Sequence, residues 1–164
     1  GRGVRSARLA RLGRGDPQHG IGPAARPEPG TGRLQIERAR SAPGPAGTID
    51  FRAGNAMDYA WRADGPWDLI VMNDTICYLG WLYSFFDIAW FASEVHEAIR
   101  PGGRFLMANT MDQHGYDKLL LPYITRSYRD LVLNVGFALD REETIQGTKN
   151  GVEFATLISL FVRR

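Results

Sequence analysis

The chain has 164 residues, 44% of them apolar, and its charges almost cancel at +2, which fits one globular domain whose core covers roughly 70% of the unfolded surface. Cys77 is the only cysteine; this excludes an internal disulfide and a Cys-rich metal site, favours a reducing, cytoplasmic setting, and with no His/Cys/Asp cluster at ligand spacing leaves no metal expected. The longest apolar region, Tyr78 to Val95, is interrupted by Ser84 and Asp87 and has helical periodicity, so it reads as a buried amphipathic helix rather than a membrane span, and the basic N-terminus lacks the apolar core of a signal peptide.

The charge is unevenly spread. Residues 1–40 carry nine Arg against Asp16, Glu28 and Glu37, a balance of +6, whereas residues 41–164 carry eleven basic and fifteen acidic groups, a balance of −4. Residues 1–32 hold eight Gly, four Pro, six Arg and four Ala, and their only large aliphatics are Val4, Leu9, Leu12 and Ile21. Such a stretch cannot bury enough apolar surface to offset about 1–2 kcal/mol of ordering cost per residue, so it reads as a disordered tail. A nucleic-acid-binding arm would interleave aromatics with its arginines, and none are there. Gly, Pro, Arg and Ala are the residues of G/C-only codons, so an out-of-frame start near residues 30–33 also accounts for the change of composition. The folded domain is therefore expected over residues 33–164.

Leu34 to Ala42 reads as a short helix stopped by Pro43-Gly44-Pro45, and Thr48 to Arg52 as a short strand. Met57 to Ala63 reads as a turn or short helix. Leu69 to Met72 is a continuous apolar run, the pattern of a parallel strand buried on both faces. Ile88, Phe91, Val95 and Ile99 recur on one face of a helix from about Leu82 to Arg100, which Pro101-Gly102-Gly103 stops and redirects. Arg104 to Ala108 is the next strand. Tyr128, Leu131, Val132 and Val135 make a second helical face with Gly136 as its C-terminal cap. Leu139 to Gln146 and Val152 to Val162 read as two strands joined by the tight connection Gly147 to Gly151. Strand and helix in alternation, closed by a hairpin, define an α/β fold with a mostly parallel sheet and one antiparallel strand.

Five segments occur in order: IERAR, TIDFRAGNAMDY, WDLIVMND, the pair Tyr78-Leu79, and IRPGGRFLM. In that order and spacing the chain resembles the carboxyl-terminal portion of class I S-adenosylmethionine-dependent methyltransferases, and its tail is similar to the small-molecule branch containing nodulation-type N-methyltransferases. The resemblance implies a Rossmann-like sandwich of strand order 3-2-1-4-5-7-6, with S-adenosylmethionine over the carboxyl ends of the strands. It places Gly54, Asn55, Ala56 and Met57 at the adenine, with Asn55 standing where an Asp is usual, and Asn73 and Asp74 near the methionine moiety and the incoming substrate. An amide oxygen still accepts a hydrogen bond from an exocyclic amine. The acidic residue for the ribose should fall near Gly30, where there is none, and the Asp/Glu-x-Gly-x-Gly loop is absent from the sequence; His19 to Ala24 (HGIGPA) has no hydrophobic strand before it. Without its first strands the sheet would run 4-5-7-6, and strand 4 would be an open apolar edge able to pair with a second copy.

The implied reaction is methyl transfer to oxygen or nitrogen of a small molecule, with no nucleic acid or membrane partner, impaired by loss of the cofactor loop. A non-catalytic α/β interaction or regulatory module that has lost the cofactor is the alternative, and a nicotinamide-dependent enzyme of related architecture ranks behind it. Transfer from a sulfonium depends mainly on orientation, and an amine acceptor must arrive neutral. His114, in the loop after the Arg104–Ala108 strand, is the candidate base, although an exposed loop histidine explains it as well. Asp74 is the other candidate catalytic residue, and Asp112 and Tyr116 share the His114 loop. His96 reads as structural or solvated, Cys77 as an inert buried thiol. Trp61, Trp67, Trp81 and Trp90 read as core, with an aromatic pocket as the alternative.

Overall fold

The computed structural model describes residues 6–8, 52, 54–113, 121–149 and 151–164. The chain divides into two compact units, Gly1–Arg11 with Ala60–Arg164, and Leu12–Tyr59. The expected helix at 34–42, most of the strand at 48–52 and the boundary at 32/33 lie outside the described residues.

The larger unit is built on a five-stranded sheet: β1 (Ser6–Arg8), β2 (Trp67–Asn73), β3 (Ile99–Gln113), β4 (Phe137–Lys149) and β5 (Val152–Arg163), in spatial order β1-β2-β3-β5-β4. β1, β2 and β3 run parallel, and β5 is antiparallel to both its neighbours. This is the expected 4-5-7-6 run with its single antiparallel strand. The bare edge is the point of difference. Ser6–Arg8, in the segment expected to form no regular structure, pairs with Leu69–Val71 of β2. An apolar strand with unpaired N–H and C=O groups recruits whatever backbone can reach it, and Ser6-Ala7-Arg8 needs no β propensity of its own for that. The opposite edge, β4, carries Asp140, Arg141, Glu142 and Glu143, exposed charges of the kind that discourage strand addition.

The described residues form three α-helices, α1 (Ile76–Leu82), α2 (Phe85–Ala98) and α3 (Leu121–Asn134). The sequence pattern predicts one helix from about Leu82; the structure instead stops α1 at Leu82 and restarts at Phe85. Ser84 causes the break, since its hydroxyl accepts from Asp87 N while the Asp87 carboxylate accepts from Ser84 N, a reciprocal cap. Ile88, Phe91 and Val95 are buried on α2 as their spacing requires, whereas Ile99, also buried, already belongs to β3, so the helix ends at Ala98 and not at Arg100. α3 packs on β3 and β4 and touches both other helices, so the three lie on one side of the sheet.

That side takes Ile70 and Met72 of β2, Phe105, Met107 and Asn109 of β3, and Leu157, Ser159 and Phe161 of β5, all buried and in register. Their alternates Leu69, Val71, Leu106, Ile158 and Leu160 are only half-buried, so the expectation that β2 is buried on both faces holds for one face. Ser159 meets its polar need by donating to Glu142 Oε2 at 2.9 Å, and Glu142 Oε1 accepts from Arg129 Nη1 of α3 at 3.1 Å.

Pro101-Gly102-Gly103 sits inside β3 instead of before it. The β2–β3 register passes from Trp67↔Ile99 to Leu69↔Arg104, so the extra residues bulge out. Gly102 has φ 75°, and a Cβ on Gly103 would lie 2.6 Å from Ile99 Cγ2, which explains the glycine at each position. At the far end the hairpin closes at Lys149↔Val152 with Gly151 at φ 75°, and α3 ends at Gly136 with the positive φ, 118°, expected of its cap.

Within the smaller unit the described residues form a 3-10 turn, Ala56–Asp58, capped by Asn55.

Candidate functional site

The carboxyl ends of β2 and β3 are joined by one residue. Asp74 leaves β2 with φ 53°, a conformation that a short polar side chain tolerates better than most. Its N–H donates to Ala108 O at 2.6 Å, and its Oδ1 accepts from Thr110 N at 2.9 Å. The side chain that the family resemblance puts near the ligand therefore bonds to the neighbouring strand and fixes where β2 ends. Asn73, just before it, is exposed at the strand terminus. Thr75, just after it, is buried and donates to Asn73 O at 2.9 Å, while its carbonyl accepts from Tyr78 N and Leu79 N to start α1.

Below these strand ends lies a polar layer between α1, α3 and β3. Thr125 of α3 is fully buried; its hydroxyl donates to Thr110 O at 3.3 Å and stands 3.9 Å from Cys77 Sγ. Burial pushes the Cys77 thiol pKa up; the Thr125 hydrogen bond opposes this and the Asp74 charge adds to it, so the thiol stays protonated and unreactive. Tyr128 is shifted up as well, first by burial and then by Cys77. It lies against Gly80, where a Cβ would fall 1.6 Å from the tyrosine oxygen. Asn109 is 1% exposed, and neither atom of its amide has a hydrogen-bond partner among the described residues. Asn109, Thr110 and Thr125 belong to no sequence motif, although strand alternation from Phe105 and Met107 puts Asn109 on the buried face.

In the smaller unit Gly54, Asn55, Ala56 and Met57 share one turn. Asn55 Oδ1 accepts from Met57 N at 3.1 Å and its Nδ2 donates to Asp58 Oδ2 at 2.9 Å. His114 and Tyr116 lie outside the described residues, as does the side chain of Asp112. His96 is structural: its ring meets Phe137 edge-on, centroids 4.8 Å apart. Trp61 is core, edge-on to Phe91, and Trp67 donates to its carbonyl at 2.9 Å. Trp81 and Trp90, expected in the core, are 60% and 70% exposed. Among the described residues no helix is long and apolar enough to cross a membrane.

No protein-family model and no curated protein matches the chain. Solved structures do. A SAM-dependent methyltransferase from Methanosarcina mazei is 16% identical with TM-score 0.60, over 80% of this chain and 76% of that one. The N-methyltransferase NodS from Bradyrhizobium japonicum, solved with S-adenosyl-L-homocysteine, is 13% identical with TM-score 0.52, over 68% of this chain and 53% of its own length. PH0226 protein from Pyrococcus horikoshii is 13% identical with TM-score 0.52, over 80% and 67%. The fold is thus that of the class I SAM-dependent methyltransferases, and the chain spans about half the length of NodS. The resemblance carried by WDLIVMND and IRPGGRFLM extends to the architecture, NodS included.

Proposed function

We propose that the chain takes part in S-adenosylmethionine-dependent methyl transfer to an oxygen or nitrogen of a small molecule. The observation that carries this reading is the end of β2, where Asp74 bridges to Thr110 and leaves Asn73 exposed at the carboxyl edge of a methyltransferase-type sheet. Open α/β sheets bind their ligands at that edge. In the larger unit Asn73 offers an exposed amide for the amino-acid end of the cofactor, and the resemblance assigns the turn that carries Asn55 to the adenine. S-adenosylmethionine, when bound, supplies an electrophilic methyl group on a sulfonium. Gly54, Ala56 and Met57 shape the adenine turn, Asp74 holds the strand end in register, and His114 takes the acceptor's proton. The setting is cytoplasmic, and the acceptor is a small molecule, neither nucleic acid nor lipid.

One observation favours a second reading, a non-catalytic module on the same fold: the sequence contains no Asp/Glu-x-Gly-x-Gly loop and no acid at the ribose position near Gly30. Ultraviolet crosslinking to methyl-labelled cofactor separates the two. Labelling that falls by tenfold or more in Asn55→Ala and Asn73→Ala supports methyl transfer, whereas label no higher than in a heat-denatured control assigns the chain to the second reading.

A further inference from the structure

The corner between α1 and α2 exposes Trp81 (60%), Leu82 (53%), Phe85 (62%), Phe86 (86%) and Trp90 (70%). Aromatic side chains present ~150–250 Å² each, so these fractions leave on the order of 600 Å² of apolar side chain in water. That is the upper limit for the largest patch on an ordinary monomer, about 300–600 Å². We propose that this corner is the interface of a two-fold homodimer.

The area matches what a stable dimer needs. A standard interface removes about 800 Å² per partner, of which about 65% is apolar in homodimers, or roughly 500 Å². The charge pattern points to a second copy as the occupant. A two-fold axis sets each central charge against its own image, and the one charged residue among residues 81–90, Asp87, is turned back onto Ser84, its Oδ2 accepting from both Ser84 N and Ser84 Oγ. The next charge along α2, Glu94, is paired with Arg62 at 2.7 Å. Phe86 and Trp90, one turn apart, form a ridge on α2, and Trp81 already meets Tyr78 edge-on at 5.5 Å, a geometry that two crossed copies can repeat with each other's rings. This interface is separate from the β2 edge, which β1 pairs at Leu69–Val71.

Sedimentation velocity of the whole chain from 1 to 100 μM tests the proposal, alongside Phe86→Glu/Trp90→Glu, two exposed positions whose change leaves the core intact. The expected result is a dimer for the wild-type chain, at least 100-fold weaker association for the double variant, and melting of the variant within a few degrees of the wild-type monomer. A wild-type chain that stays monomeric at 100 μM overturns the proposal, as does a double variant that dimerises as well as the wild type. A monomer whose Trp81 and Trp90 resist acrylamide quenching would show that another segment or an unlike partner covers the corner, and would also overturn it.

Discussion

Replacing Asp74 separates the two things that this residue does. Asp74→Ala removes the acceptor of Thr110 N, a part-buried charge-assisted hydrogen bond of 2.9 Å, at about 1.5–3 kcal/mol. It also sets alanine at φ 53°, which costs a further ~1–2 kcal/mol. The expected loss is about 3–4 kcal/mol, a large share of the 5–15 kcal/mol that holds most domains folded. Asp74→Asn keeps both an acceptor oxygen and tolerance of positive φ, so its loss should stay below about 1 kcal/mol. Asp74→Gly relieves the backbone but not the missing bond, and should fall between. In urea, with a slope of about 2 kcal/mol per molar, the midpoint should drop by roughly 1.5–2 M for alanine and under ~0.5 M for asparagine. Equal midpoints for the alanine and asparagine variants would refute the clamp assigned to the Asp74 carboxylate.

Three further outcomes follow from the same structure. Gly80→Ala should destabilise by about 1–3 kcal/mol through overpacking, because its Cβ meets the Tyr128 oxygen and, at 2.6 Å, the ring carbon Cζ, so Tyr128→Leu in the same chain should recover more of the loss than Tyr128→Phe, which keeps the ring; thermal melts of the double-mutant cycles measure it, and additive losses would speak against the contact. Ser84→Ala should cost about 1 kcal/mol, and adding Asp87→Ala should cost little more, since one reciprocal cap serves both residues; two full, independent losses in urea titrations would contradict it. Cys77 should make stability fall in alkali: burial raises its folded pKa, so the folded state holds the proton more tightly and the full contribution is present below the unfolded value of about 8.5, fading as pH rises through the folded value. Cys77→Ala should delay that decline until Tyr128, whose pKa burial also raises, begins to titrate; an unchanged profile would exclude the thiol as its source.

What could be read from the sequence follows from how locally each feature is determined. The buried face of α2 is written in Ile88, Phe91 and Val95, and the β4–β5 hairpin in two β-rich runs around a glycine turn. The break at Ser84 was also local, a Ser-x-x-Asp pattern hidden inside an apolar stretch. Other features depend on tertiary surroundings. Pro101-Gly102-Gly103 is recognisable as a breaker, yet only pairing with β2 reveals it as a bulge within a strand. Ser6–Arg8 becomes a strand because β2 offers it an edge. Trp81 and Trp90 looked like core because composition records that a residue is apolar, not which side of a short helix faces the sheet. At the site, Asn73 and Asp74 were legible from their place after an apolar strand, whereas the bond from Asp74 to Thr110 joins residues 36 positions apart and was not.

Calorimetric titration of the chain with S-adenosyl-L-homocysteine tests whether this sheet edge is a cofactor site, since the product needs no methyl acceptor. Saturable one-to-one binding at micromolar strength, weakened tenfold or more by Asn73→Ala, is the predicted result. A folded chain that releases no heat would contradict it and leave the methyltransferase fold here without its cofactor.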